Sequence, residues 1–254
     1  MDKIKQTLSN YLEELYKIYP KNSILGIFLY GSQNYNFDWE GSDIDAKAIY
    51  IPSKEEIALL KQPVSKEYKF DTGHVEIKDI RLMWQMWKKQ NMNFVEILFT
   101  DYFLINPMYV KVWGNILFDR EKIARYDEVY AITSAYHQAY NTLKQGTTGK
   151  KIANAIRIEK YLSNYMQSKP YKDCIRLTDT QKNFFIDLKI RNDTFDENDP
   201  MVKSVKNNLY EKFLASNDLK IDIDCQQELD KSMTYIIIDA LRTREVLERF
   251  LKNK

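Results

Sequence analysis

Cysteine and histidine are scarce in this chain. Cys174, Cys225, His74 and His137 are the whole supply in 254 residues. That excludes a disulfide framework, fits no CxxC zinc pattern, and leaves Ser-His-Asp and zinc-hydrolase schemes poorly equipped. The two cysteines read as reduced thiols of a cytoplasmic protein. Glycine (7) and proline (6) are also few, which argues against a loop-rich all-β chain and, with abundant Lys, Glu and Leu, favours helix. Neither sign of charge dominates. A net charge of +2 excludes a strongly cationic nucleic-acid binder and leaves room for a local basic patch. There is no run of about 18 apolar residues, so no membrane span is expected, and the start Met1-Asp-Lys-Ile-Lys lacks the apolar stretch of a secretion signal. With 44% hydrophobic and 29% charged residues, the chain is expected to be globular, as one large domain or two small ones.

What is present falls into two stretches. Ile4, Leu8, Tyr11, Leu12, Leu15 and Ile18 recur at helical spacing, predicting an amphipathic helix over the first twenty residues, ended by Pro20. Residues 24–30 form a short apolar, partly β-branched run ending at Gly31-Ser32, a buried strand entering a turn. Residues 43–51 alternate and stop at Pro52, predicting a second strand. Ser53 with Glu56 forms a capping box for a short helix. A third strand is expected within 68–77, a helix from Asp79 carrying Ile80, Met83, Trp84 and Trp87, and another from Asn93. Beyond residue 120 helical patterns dominate, over 127–143, 150–166, 180–190, 201–214 and 226–251. The predicted fold class is α+β: a small mixed sheet flanked by helices (1–120), then a helical domain (121–254) closing a cleft. No internal repeat is present.

The chemistry concentrates between residues 29 and 45. Asp43 and Asp45, two apart on a strand, project from one face. Two ionised carboxylates at roughly 4 Å repel by about 4 kcal/mol at an effective dielectric near 20, which a hard divalent cation relieves. Gly31 permits close backbone approach, and the turn amides with the Ser32 hydroxyl can donate to phosphate oxygens. A phosphate-cradling turn beside paired carboxylates equips a site for metal-assisted phosphoryl or nucleotidyl transfer. An isolated Asp-x-Asp or Gly-Ser is ordinarily a solvated edge or a turn. The two motifs carry weight together, in this order, between apolar strands.

Gly31-Ser32, ten residues ending in Ser42, then Asp43-Ile44-Asp45 resembles the signature of the DNA polymerase β-like nucleotidyltransferases. The resemblance is to the predicted bacterial and phage branch associated with RNA repair, and it continues through Asp79-Ile-Arg81, through Asn91-Met-Asn93-Phe-Val-Glu96-Ile-Leu98, and through Lys150, Asn154 and Arg157 of one helix. It covers residues 24–193. The chain departs from that pattern at Asn36, where glycine is common, at Asn93 for proline, and at Asn154 for histidine.

The resemblance implies a two-metal Mg²⁺ site (Mn²⁺ as substitute) held by Asp43, Asp45 and a third carboxylate on a neighbouring strand. Glu76 is the first candidate, Asp79 the second and Asp71 the third. It implies nucleotide contacts from Gly31, Ser32, Tyr35, Ser42, Lys150, Asn154 and Arg157, an NTP substrate, and an acceptor hydroxyl on RNA, such as a tRNA 3′ end, with pyrophosphate released. Two other readings stay open: a toxin–antitoxin type enzyme that AMPylates protein hydroxyls, and a catalytically weak nucleotide- or RNA-binding module.

Lys150, Asn154 and Arg157 lie at i, i+4 and i+7, one helix face, where a solvated surface is the bland reading. Lys151 points about 100° away. Tyr35 or Trp39, in the loop between turn and carboxylates, could stack on a base. Met83, Trp84 and Trp87 read as core. Glu96, in an apolar helix, is expected to meet a basic neighbour in the core. Arg242, Arg244, Arg249, Lys252 and Lys254 read as a solvated face able to contact an RNA backbone.

Overall fold

The computed structural model describes residues 3–190 and 194–252. In chain order the elements are α1 (Lys3–Tyr16), β1 (Ile24–Tyr30), β2 (Asp45–Tyr50), α2 (Lys54–Ala58), β3 (Ser65–Phe70), β4 (Gly73–Asp79), α3 (Ile80–Lys88) and α4 (Met92–Val95). They continue with β5 (Phe103–Ile105), α5 (Val110–Phe118), α6 (Arg120–Ala124), α7 (Glu128–Lys144), α8 (Gly149–Met166), α9 (Tyr171–Ile175), α10 (Asp179–Ile190), α11 (Pro200–Ala215) and α12 (Ile223–Lys252). The architecture is α+β: a mixed five-stranded sheet ordered β3-β4-β2-β1-β5 with a helical C-terminal region. No helix of the described residues is long and apolar enough to cross a membrane.

The strand alternation sets two faces. Ile27, Leu29, Ala46, Ala48, Val75 and Ile77 pack under Leu8, Tyr11 and Leu15 of α1, as the period of that helix predicts. Met1 and Asp2 of the predicted helix lie outside the described residues. The opposite face carries Leu25, Phe28 and Ile49 against Met83, Trp84 and Trp87 of α3 and Trp113 of α5. Toward its other end the same face is polar, with Tyr30, Asp45, Lys47, His74 and Glu76. The core of this face is continuous with buried residues of α7, α8 and α10, so the hydrophobic cluster runs from Leu25 to Ala240 without a break near residue 120.

Two local expectations change. Residues 68–77 are not one strand: β3 and β4 form an antiparallel hairpin paired Phe70 with Gly73. Gly73 stands at φ 146°, and a Cβ there would overlap the backbone of Ile44. The chain needs glycine at this crossing because the 43–45 segment lies directly against it, held by the Ile44 amide to the Thr72 carbonyl at 2.8 Å and by the Tyr11 hydroxyl to the Ile44 carbonyl at 3.0 Å. β2 accordingly begins at Asp45, and Asp43 precedes the strand. The capping box forms as read, the Ser53 amide donating to Glu56 at 2.7 Å and the Glu56 amide to the Ser53 hydroxyl at 3.1 Å.

The C-terminal helix α12 returns to the first half of the chain. Arg244 is buried and donates to the Ile51 carbonyl, to the Tyr50 hydroxyl at 3.3 Å and to Glu56 at 3.1 Å. It is therefore a tie to the end of β2 and not a solvated RNA contact. Side chains of Lys252 and Lys254 fall outside the described set.

Candidate active site

Asp43 and Asp45 open onto one cleft of about 550 Å³, within the usual range of small-molecule sites. The floor is the sheet end, with Ser32 and Tyr35 from the turn after β1. The rim is the 37–42 loop, contributing Phe37, Trp39, Gly41 and Ser42. The far wall is helical: Thr142 of α7, then Lys150, Lys151, Asn154 and Arg157 of α8, and Lys189 of α10. The turn and the helical row predicted from sequence thus meet across a gap, with four cations facing two carboxylates.

The turn geometry follows from its residues. Gly31 sits at φ 81°, the left-handed region, with Asp45 Oδ2 3.4 Å from where a Cβ would stand. The conformation is what calls for glycine here; a Cβ would sit in ordinary van der Waals contact with Asp45. Asn36 is also left-handed, at φ 58°, which asparagine tolerates better than other non-glycine residues. Its side chain donates to the Leu177 carbonyl at 3.1 Å and to Asp179 at 3.0 Å. Lys182 and Lys189 of α10, seven residues apart on one face, grip the same loop at Asp38 and at the Phe37 carbonyl.

Asp43 is exposed and Asp45 half-buried. Burial pushes the Asp45 carboxyl up, and Asp43 adds to this against the opposing pull of His74. His74 Nδ1 lies 2.7 Å from Asp45 Oδ1, while Nε2 meets the Tyr30 hydroxyl at 2.5 Å. The parallel register pairs Ala46 with Val75, so the position beside Asp45 on the neighbouring strand is an imidazole. From sequence His74 reads as ordinary, with no partner at metal-ligand spacing; its neighbour Asp45 comes from the β2–β4 register.

Glu76 is not placed in the cleft. Paired in register with Lys47, it takes Lys47 Nζ on one oxygen at 2.6 Å and Lys78 Nζ on the other at 2.8 Å. Burial would raise its carboxyl, but Lys47 and then Lys78 outweigh this and hold it below the ordinary range. Lys47 is itself buried between the rings of Tyr30 and Phe94, at 3.9 and 3.8 Å. A carboxylate there neutralises a buried cation.

Asp79 is equally committed, accepting from the Arg81 amide and guanidinium at 2.7–2.9 Å as N-cap of α3. Asp79→Ala is expected to cost about 1–2 kcal/mol of stability in urea denaturation, as lost caps do, and to leave nucleotide affinity unchanged. A variant of unaltered stability would refute the capping role. Asp71 is exposed in the hairpin turn. Among the described residues no three carboxylate, imidazole or thiol groups gather at metal-ligating geometry.

Arg157 is 3% exposed. Its Nε and Nη2 donate to Asn154 Oδ1 at 3.2 and 3.0 Å, its guanidinium lies 4.0 Å over the Tyr35 ring, and its Nη1 is buried without a partner among the described residues. Asn154 therefore orients Arg157. Tyr35 is occupied on that face and through its hydroxyl, which removes it as a base platform. Trp39, 42% exposed at the rim, keeps a free surface, and Ser42 shapes its loop by accepting from the Trp39 amide at 3.0 Å. Lys189 was missed by sequence reading. Burial, then the adjacent Lys150, pull its ammonium below the ordinary lysine value, against Asp38 and Asp43. Among the described residues Glu96 meets no basic group directly. It accepts from the Gly31 amide, so that amide is unavailable to a phosphate.

No known protein family matches the chain, and no curated protein does. Among solved structures, a nucleotidyltransferase-like protein from Exiguobacterium sibiricum overlaps 93% of this chain and 79% of its own, at 9% identity and a TM-score of 0.31. An overlay that loose fixes neither register nor site.

Proposed function

We propose that this chain is a divalent-metal-dependent nucleotidyltransferase that moves a nucleoside monophosphate from an NTP to an acceptor hydroxyl, with an RNA 3′ end as the acceptor. The carrying observation is that Asp43 and Asp45 share one cleft with Lys150, Lys189 and Arg157, whose buried Nη1 lacks a partner among the described residues. A buried, unpaired guanidinium nitrogen costs free energy that an anionic oxygen would recover.

The donor set suits Mg²⁺, or Mn²⁺ as substitute. Two carboxylates from one short segment leave coordination positions for phosphate oxygens, and the Asp45 carboxyl, raised by burial and to a smaller extent by Asp43, carries a cost that a cation relieves. Such an ion supplies charge neutralisation at the α-phosphoryl group and a lowered pKa of the attacking hydroxyl. The chain's own residues do the rest. Arg157 and Lys189, with Lys150 at the rim, hold the β- and γ-phosphates and neutralise the departing pyrophosphate. Ser32 presents its hydroxyl at the turn, and Trp39 flanks the base. The acceptor oxygen bonds to the α-phosphorus as the bond to pyrophosphate breaks.

Incubation with each α-³²P-labelled NTP, Mg²⁺ and total tRNA tests this reading. Label on RNA is expected. Label on protein instead would move the acceptor to a protein hydroxyl, and binding of Mg·NTP by calorimetry without any transfer would leave a nucleotide-binding module.

A further inference from the structure

Glu96 is fully buried, at 0% exposure, one layer beneath the cleft and outside its lining. It opens the 3-10 turn Glu96–Phe99 and turns its carboxylate toward the loop after β1. One oxygen accepts from the Tyr35 hydroxyl at 2.6 Å. The other accepts from the Gly31 amide at 3.2 Å and from Asn34 Nδ2 at 3.1 Å, while the Glu96 carbonyl takes Asn34 Nδ2 at 3.4 Å. Three donors from a five-residue turn converge on one buried side chain. An ionised carboxylate, acceptor on both oxygens, takes all three donors at once.

We propose that Glu96 is a positioning residue of the nucleotide site: its carboxylate sets the Gly31–Tyr35 turn and, by fixing the Tyr35 ring, seats Arg157 for phosphate. This rests on the nucleotide reading above. Tyr35 is the link, its hydroxyl on Glu96 and its ring 4.0 Å beneath the Arg157 guanidinium. The turn therefore receives its shape from behind, and the phosphate grip depends on the charge state of a group that never touches phosphate.

That charge state changes near neutrality. Burial pushes the Glu96 carboxyl up to about 7, against the opposing effects of Tyr35, Asn34, Arg157 and Lys47. The titratable groups facing it are Tyr30 of β1, Tyr35 of the turn, Lys47 of β2, Arg157 of α8 and Tyr171 of α9. None of these is a cation hydrogen-bonded to it. Protonation on Oε2 sets a donor against the Gly31 amide and Asn34 Nδ2, and protonation on Oε1 reverses the bond to Tyr35 and takes the acceptor from that hydroxyl's proton, so either way the bonds that shape the turn rearrange.

The test follows the backbone amides of Gly31, Asn34 and Tyr35 by ¹H–¹⁵N NMR from pH 5.5 to 8.5 without nucleotide, and on the same samples the Kd of Mg·ATP by calorimetry. In the wild type the three amides should titrate together with a midpoint near 7, and Kd should rise about tenfold from pH 8 to pH 6. Glu96→Gln should show no such midpoint and bind weakly at every pH. The ratio of the two proteins cancels the nucleotide's own titration. Tyr35→Phe, which keeps the ring under Arg157, should lose about threefold in affinity at pH 8 and keeps the test decisive if the glutamine variant does not fold. Amides that do not titrate near 7, or a glutamine variant whose affinity follows the wild-type pH curve, overturn the proposal. A wild type that binds no Mg·ATP while its turn amides titrate overturns the nucleotide reading and leaves Glu96 as organiser of the turn, so the two failures are told apart.

Discussion

Asp45→Asn is expected to lower nucleotide incorporation by about 10³-fold while its Tm equals or exceeds that of the wild type. The activity loss corresponds to about 4 kcal/mol of transition-state stabilisation, the scale on which a bound cation acts on a developing phosphoryl charge. The stability effect has the opposite sign. The Asp45 carboxyl is half-buried and raised by burial and by Asp43, so its ionised form weakens the fold at neutral pH, and a neutral amide of the same shape removes that cost. Adding Mg²⁺ should raise the wild-type Tm by mass action and leave the variant's unmoved. Asp43→Asn should lose comparable activity without gaining stability, because Asp43 is exposed. Thermal scans and labelled-NTP incorporation on both variants check the pair of effects. An Asp45→Asn protein that transfers nucleotide at the wild-type rate would remove the catalytic claim.

Residues that announce their own local geometry were legible from sequence. The apolar run 24–30 ending in Gly31, the Ser53–Glu56 box and the Asp79 cap are fixed by neighbours within a few positions, and each forms as its residue types require. The row Lys150, Asn154, Arg157 needed only the helical period. Partnerships between distant segments were not legible. The alternation that turns Glu76 away from Val75 and Ile77 was legible; the parallel register of β2 and β4, which delivers Glu76 to Lys47 and His74 to Asp45, was not. No local pattern encodes that Lys189 reaches the Phe37 carbonyl across 152 positions, or that Arg244 closes on the end of β2. Asn36 lies between these cases. A glycine-like conformation could be inferred at its position, whereas its bonds to Leu177 and Asp179 belong to the tertiary fold.

The stability of the wild type relative to Glu96→Gln is expected to fall by about 3 kcal/mol between pH 4.5 and pH 8. A carboxyl whose folded pKa, about 7, stands above its ordinary value of 4.5 holds its proton more tightly folded than unfolded. Its contribution is therefore fully present below pH 4.5 and is lost as the pH rises toward 7. The difference of about 2.5 pKa units at 1.36 kcal/mol each sets the size. Glutamine does not titrate, so the two proteins share every other group, Asp45 included, and their difference isolates Glu96. Urea midpoints across that pH range, extrapolated linearly, give the measurement, and parallel curves would rule out a strongly raised carboxyl. The direction bears on function. The ionised form that holds Gly31, Asn34 and Tyr35 in place is the form that weakens the fold. When ionised, Glu96 and Asp45 therefore both carry charge against the interest of stability, one behind the turn and one before it. A core selected for stability alone would place a neutral group at either position, so the site is where the chain departs from its own folding rules.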